Sequence, residues 1–231
     1  MKPGTIKCAC EQCQLKSLFF THVTANQLSN ICEIKEERSF SKGDRILKEG
    51  DRINEFLYMK EGLVKLSKGS NDGKEQIISF SKPFDFVSLL SVFSSEIYKY
   101  SVSAVEDSTV CALDLDIVKK HMQNNAMFSM DLMSRISEAT DKIILENLEI
   151  RRKNLKGRVA HVLLYFSNYI YEKDEFELPV SRREIAEYIG MSTENVIRTM
   201  SEFRRDHILK FDGKQIEIVN EKLLETISEH G

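Results

Sequence analysis

Ser181 to Phe203 reads S-R-R-E-I-A-E-Y-I-G-M-S-T-E-N-V-I-R-T-M-S-E-F, two short helices joined by a tight turn. Ser181 with Glu184 three residues on is a capping box. The hydroxyl takes an orphan backbone N–H, and the carboxylate reaches back to the N–H of the cap residue. Ile185, Ala186 and Ile189 then give an apolar face at helical spacing. Gly190 stands where a chain leaving a helix adopts a left-handed conformation. Ser192 is a second N-cap, and Val196, Met200 and Phe203 form the inner side of the second helix. Thr193, Glu194, Ile197, Arg198 and Ser201 are left facing outward near its start. A helix-turn-helix places there the side chains that meet base edges in the major groove. An ordinary corner between two helices is the alternative.

The residues that follow favour the DNA-facing reading. Ile208 to Phe211 and Lys214 to Val219 alternate like two strands around Asp212-Gly213. Asp-Gly predicts a type I′ turn, with Ile216 and Ile218 turned to the helices. Lys210 and Lys214 fall near the tip of this wing, where it meets phosphate.

The rest of the chain sets bounds. Its 231 residues suffice for two modest domains, and 42% hydrophobic with 30% charged residues is ordinary globular composition. No run is long and apolar enough to span a bilayer and no secretory signal is present, so a cytoplasmic location is the default expectation. A net charge of −3 excludes polyanion binding by the chain as a whole, so a DNA contact needs a local basic face. Arg151, Arg152, Lys153, Lys156 and Arg158 form an acid-free run, and Arg182, Arg183, Arg198, Arg204 and Arg205 follow. Taken singly, each of these is an ordinary solvated charge. Five cysteines, Cys8, Cys10, Cys13, Cys32 and Cys111, are an odd count that argues against a disulfide framework.

Taken in order, residues 1–16 read as an unpaired tail carrying C-A-C-E-Q-C. A short helix is expected from Thr24 to about Lys35, with Gln27 completing a capping box. From Phe40 to Asp114 short β-rich runs alternate with glycine turns, which predicts a small jelly roll. Within it, Pro83 to Leu90 is less regular and is expected to hold a short helix. Asp116 to Gln123 reads as one helix and Ala126 to Arg152 as a long one. In the long helix Phe128, Leu132, Ile136, Ala139, Ile143 and Ile150 form a seam suited to a twofold partner, while Met133, Ile144 and Leu148 pack on the chain's own roll. A helix from Leu155 to Tyr171 follows, with the hinge near Asn154; Leu178 to Val180 reads as a strand, and Glu221 to Ser228 as a last helix. The domain organisation expected is therefore a tail at 1–16, a roll at 17–125, a dimerisation helix at 126–153 and a winged helix-turn-helix at 154–231, an α+β chain.

A jelly roll, a long dimer helix and a C-terminal winged helix-turn-helix in that order resemble the Crp/Fnr family of bacterial transcription regulators. The resemblance rests on L-K-G-R-V-A at Leu155 to Ala160, on Ser181 to Arg198, and on D-G-K-Q-I-E-I at Asp212 to Ile218; Gly43, Gly50, Gly62 and Gly73 fit more loosely. It implies that Glu194 accepts from a cytosine amino group and Arg198 donates to guanine, which suits a carboxylate and a guanidinium one helical turn apart. Thr193 and Ile197 match positions that tune flanking bases, and Ser181, Arg182 and Ser192 match phosphate contacts, which position without specifying. It further implies a homodimer on a twofold-symmetric site in double-stranded DNA, contact with RNA polymerase if the protein activates, no membrane partner and no enzyme activity.

The family's cyclic-nucleotide pocket uses a ribose-binding carboxylate and a phosphate-binding arginine. Ser88 and Leu89 stand at the first place and Tyr98 and Lys99 at the second, with no arginine between Arg52 and Arg135. A bidentate phosphate clamp is missing, so cyclic AMP is not the expected effector. The family's oxygen-sensing branch holds an iron–sulfur cluster on three N-terminal cysteines and one in the roll, a layout that Cys8, Cys10, Cys13 and Cys111 echo with a tighter C-x-C-x-x-C spacing. Four thiolates suit such a cluster or another metal such as zinc. A free redox-active tail with a buried Cys111 is the alternative. Haem in some relatives would call on His22, His121 or His161. A cupin-like metalloenzyme would need histidines on the roll, and none lies between His22 and His121. The expected mechanism is an effector or redox change that shifts a two-state equilibrium at the long helix and the Asn154 hinge.

Overall fold

The computed structural model describes residues 5–6, 35–70, 75–87 and 90–231. The helix expected from Thr24 to Lys35, the C-A-C-E-Q-C motif, and Ser88 with Leu89 lie outside the described residues.

Two compact units make up the chain, Met1–Gly69 with Ser79–Ile143, and Ser70–Ile78 with Ile144–Gly231. The division falls inside the long helix, between Ile143 and Ile144.

The roll is built from β1 (Thr5–Ile6), β2 (Glu36–Phe40), β3 (Arg45–Leu47), β4 (Glu55–Glu61), β5 (Val64–Gly69), β6 (Glu75–Ser81), β7 (Ser101–Ala104) and β8 (Ser108–Asp114). One sheet runs β1-β2-β8-β4 and the other β3-β7-β5-β6. The tail is therefore not wholly unpaired: Thr5 and Ile6 pair antiparallel with Arg38 and Glu37. Strand β4 is buried on both faces from Phe56 to Met59, because it carries the roll core on one side and is covered on the other. Its free edge is closed by backbone bonds from Val87 to Leu57 and between Met59 and residues 84 and 85. Where a short helix was expected near Pro83, the described residues thus extend along β4, which needs a partner for its edge N–H and C=O groups. Gly62, φ +86°, makes the β4–β5 turn, and a Cβ there would stand 2.7 Å from the Cα of Ser108.

Asp114 caps α1 (Leu115–Asn124) by accepting from the N–H groups of Asp116 and Ile117. Helix α2 (Ala126–Arg152) then exchanges the two stripes read from its sequence. Phe128 and Leu132, assigned above to a partner, are 6% and 3% exposed and join the roll core, with Ile136 packed against it. Ile150 is also buried. Met133, Ile144 and Leu148, assigned to the roll, are 48%, 50% and 52% exposed. A helix with two apolar stripes carries no periodic signal saying which one turns inward; here Phe128 and Leu132 fill the roll.

In the second unit, Asn154 caps α3 (Leu155–Leu164). The helix does not continue in α geometry to Tyr171 as expected but widens into a π-helical segment, Tyr165–Tyr171. Its i→i+5 bonding shifts the inward register, so Ser167 is fully buried in place of the half-buried Ile170. Next come β9 (Glu175–Glu177), α4 (Arg182–Ile189), α5 (Thr193–Arg205), β10 (Leu209–Asp212), β11 (Gln215–Ile218) and α6 (Glu221–His230). The expected strand at Leu178–Val180 lies three residues earlier, at Glu175–Glu177, because Pro179 has no N–H to give a ladder. Leu178 and Val180 are buried all the same. The wing is a three-stranded sheet, β10-β11-β9. Asp212 pairs with Gln215, so the turn residues are Gly213 and Lys214, one place later than read from the sequence. Only Gly213 has positive φ (59°), which suits a turn with glycine first, type II′ rather than I′.

Candidate nucleic-acid interface

Local chemistry sets the geometry of the two crossing helices. The capping box of α4 is complete: Ser181 Oγ accepts from the Glu184 N–H, and Glu184 Oε2 accepts from the Ser181 N–H at 2.8 Å. Gly190 leaves the helix at φ 69°, as a left-handed cap. Ser192 Oγ accepts from the Asn195 N–H and starts α5. Between the helices Ile185, Ile189, Val196, Met200 and Phe203 are each 2% exposed or less. A buried side chain of that size cut to alanine costs about 2–5 kcal/mol, so this packing fixes the crossing.

With that side closed, the outer side of α5 is set. Glu194, Ile197, Arg198 and Ser201 are exposed and Thr193 is half-buried. The Glu194 carboxyl is held below its usual range by its own backbone N–H and the Ser192 hydroxyl, so it is a carboxylate with acceptor capacity only. Arg198 Nη2 donates to Asn195 Oδ1 at 3.0 Å, which aims the guanidinium along the helix surface. Donor and acceptor thus stand side by side, one turn apart.

The expected phosphate contacts divide. The Ser181 hydroxyl donates to Glu184, and that of Ser192 serves Glu194, so both hydroxyls have partners within the motif. Lys214 is exposed and, among the described residues, has no side-chain partner. Arg182 is half-buried, donates to the Gly213 carbonyl at 3.1 Å, and stands over the Phe211 ring. The acid-free run at Arg151 to Arg158 is largely structural. Lys153 is buried and donates to the Ser228 carbonyl; Lys156 pairs with Glu202 at 2.8 Å; Arg158 donates to the carbonyls of Lys153, Ile189 and Arg151.

Behind α4, one carboxylate gathers three helices. Glu146 Oε1 on α2 meets His161 Nε2 on α3 at 2.8 Å and accepts from the Tyr188 hydroxyl on α4 at 3.2 Å. Burial and the Glu146 charge push the Tyr188 phenol well above its ordinary range. The sequence reading missed this group, since its members lie 15 and 42 residues apart in the chain.

Of the candidates in the roll, Tyr98, Lys99 and Cys111 lie among the described residues. Tyr98 is buried, its hydroxyl 3.4 Å from the Glu55 carbonyl, and it edges a cleft of about 300 Å³ that also touches Leu47, Asp51, Arg52 and Glu55. Lys99 is exposed. Cys111 is fully buried between β2 and β4, opposite Glu37 and Tyr58, with its sulfur 3.8 Å from a Glu37 carboxylate oxygen. Burial pushes its thiol up to about 11. Among the described residues no three His, Cys, Asp or Glu side chains are grouped to hold a metal, and no helix is long and apolar enough to cross a membrane.

Two domain families match the chain: a cyclic nucleotide-binding domain over residues 37–125 and a Crp-like helix-turn-helix domain over residues 157–227. The transcriptional activator protein Anr of Pseudomonas aeruginosa is 27% identical over 220 residues, covering 91% of this chain and 88% of that one. The fumarate and nitrate reduction regulatory protein of Yersinia pestis is 28% identical over 227 residues, covering 93% and 88%. FixK2 from Bradyrhizobium japonicum superposes with a TM-score of 0.74 at 25% identity, covering 84% of this chain and 97% of its own. A Eubacterium rectale regulator shares the fold with a TM-score of 0.76 at 19% identity, over 91% and 97%.

Proposed function

This chain belongs to the Crp/Fnr family of transcription regulators, and we propose that it reads a twofold-symmetric duplex as a homodimer, with Glu194 and Arg198 at the base edges. The observation that carries the reading is an ionised carboxylate and a guanidinium exposed together on the first turns of α5, over a fully packed helix pair. The carboxylate suits the cytosine amino group and the guanidinium the O6 and N7 of guanine. Thr193 and Ile197 border the flanking bases, and Arg182 and Lys214 the phosphates. Each well-made base contact carries roughly 1–3 kcal/mol of discrimination.

The dimer reading draws on α2. Met130, Met133, Ile144 and Leu148 are all exposed, and with Ser137 and Thr140 they recur at steps of three and four residues. That is the spacing of a two-stranded helical seam. A seam of this kind places two α5 helices on one twofold axis, as a palindromic site requires. RNA polymerase is the further partner if the protein activates.

The sensing side follows less directly. Ser88 and Leu89 are outside the described residues, and neither Tyr98 nor Lys99 supplies a phosphate fork, so we infer an effector other than cyclic AMP. Of the four cysteines only Cys111 lies among the described residues; it is buried, with its sulfur 3.8 Å from a Glu37 carboxylate oxygen. Iron and zinc analysis of anaerobically purified protein tests Cys8, Cys10 and Cys13 separately.

The direct experiment is footprinting on DNA upstream of the protein's own gene with wild type and Arg198→Ala. The variant is expected to lose preference for the guanine position by roughly 5- to 150-fold, the equivalent of 1–3 kcal/mol. Equal sequence preference in both proteins overturns the assignment.

A further inference from the structure

Arg204 has no assigned role, and its surroundings are unusual for an exposed arginine. Its guanidinium carbon lies 4.7 Å from the centre of the Phe211 ring, and that of Arg182 lies 5.7 Å from the same centre. Two cations therefore converge on one aromatic face or edge, from the C-terminal end of α5 and the start of α4. Among the described residues neither arginine pairs with a carboxylate; the one polar partner of the two guanidinium groups is the Gly213 carbonyl on Arg182.

This is not a shortage of acids nearby. In the same unit Lys156 pairs with Glu202, Arg183 with Glu187, Arg205 with Asp206, and Lys210 with Glu217. The two cations beside Phe211 have no such anion among the described residues. The ring restrains both side chains through cation–π contact, so less rotamer freedom is lost when an anion arrives.

Position says which anion. Arg204 follows Ile197 by seven residues, about 700° of helix at 3.6 residues per turn, so the two share one line on the α5 surface. Arg204 thus stands two turns beyond the outward, base-reading residues and above the wing strand β10 that carries Phe211. We propose that Arg204, braced on Phe211 and acting with Arg182, is a phosphate clamp for the DNA strand flanking the base-reading turns. The inference rests on the DNA reading above. A guanidinium fork matches the phosphodiester group, and such a contact fixes register while carrying no sequence information.

The test is titration of the full-length protein with two labelled duplexes, one carrying its preferred site and one scrambled, over a series of KCl concentrations. Arg204→Ala is expected to weaken binding to both duplexes by the same factor, and to make the slope of log affinity against log salt shallower by about 0.9. Arg204→Gln, which removes the charge but keeps a polar, hydrogen-bonding side chain, should do the same, while Arg204→Lys should keep the wild-type slope. An unchanged slope in both neutral variants overturns the clamp, and so does a change of base preference without a change of slope. Arg198→Ala, run in parallel, separates this from the base-reading proposal: it should alter the ratio between the two duplexes. If Arg198→Ala leaves that ratio unchanged, the base-reading assignment fails, and the slope for Arg204→Ala on the scrambled duplex still decides the clamp.

Discussion

The reading unit pairs some of its cations and leaves others open, whereas the roll holds its most buried charges in ion pairs. In the roll, Arg38 is gripped by Glu55 and Glu36, Lys68 by Glu49, and the buried Glu37 by Lys60 at 2.9 Å and Lys35 at 3.5 Å. In the reading unit, Arg182, Arg198, Arg204 and Lys214 form, among the described residues, no close ion pair with a carboxylate. The difference separates charge that builds a fold from charge that awaits a partner. A buried charge with a partner recovers part of its desolvation cost. An unpaired one on a rigid surface is available to a polyanion.

The contrast can be tested first at two glycines. Gly62 and Gly190 both hold positive φ, but a Cβ on Gly62 would meet Ser108 backbone at 2.7 Å, whereas Gly190 has nothing within 4 Å. Gly62→Ala should cost about 4 kcal/mol or prevent folding, since strain and a backbone clash combine. Gly190→Ala should cost only about 1–2 kcal/mol, the left-handed conformation alone. Urea midpoints read both, and equal losses would show that the roll is no more closed than the reading unit.

Alkali gives the next largest effect. The Cys111 thiol ionises near 9.0 when the chain is unfolded and near 11 in the buried native site. Its native value is raised, so its contribution is whole below pH 9 and is lost as pH rises toward 11, because the unfolded chain releases the proton first. Two pH units correspond to about 2–3 kcal/mol. Tyr98, pushed up to about 12 chiefly by burial, continues the same trend. Cys111→Ala should flatten the fall in urea stability between pH 9 and 11; an unaltered pH profile would show that this thiol is not closed off. The smallest effect expected is at Ser181, where alanine removes one half of the capping box and should lower stability by about 1 kcal/mol, read as a melting shift of a few degrees.

The reading unit was the more legible region because its signals are local. Ser181, Glu184, Gly190 and Ser192 each act within four residues of themselves, so their order in the chain is nearly their geometry. The roll repeated in outline for the same reason, through its glycine turns. What failed was whatever depends on partners distant in sequence. Phe128 and Met133 are both apolar residues of one helix, and only the roll core selects Phe128. The wing turn moved by one residue because the Asp212–Gln215 pair sets the register, not the Asp-Gly dipeptide. The Phe211 group draws on three separate elements, and nothing in their spacing announces it.

Glu146 acts as a keystone for the helices around it. With His161 and Tyr188 both joined to one of its oxygens, the end of α2 cannot roll against α3 and α4 without stranding a buried phenol. A turn of the last residues of the long helix that keeps both bonds therefore carries α3 and α4 along with it.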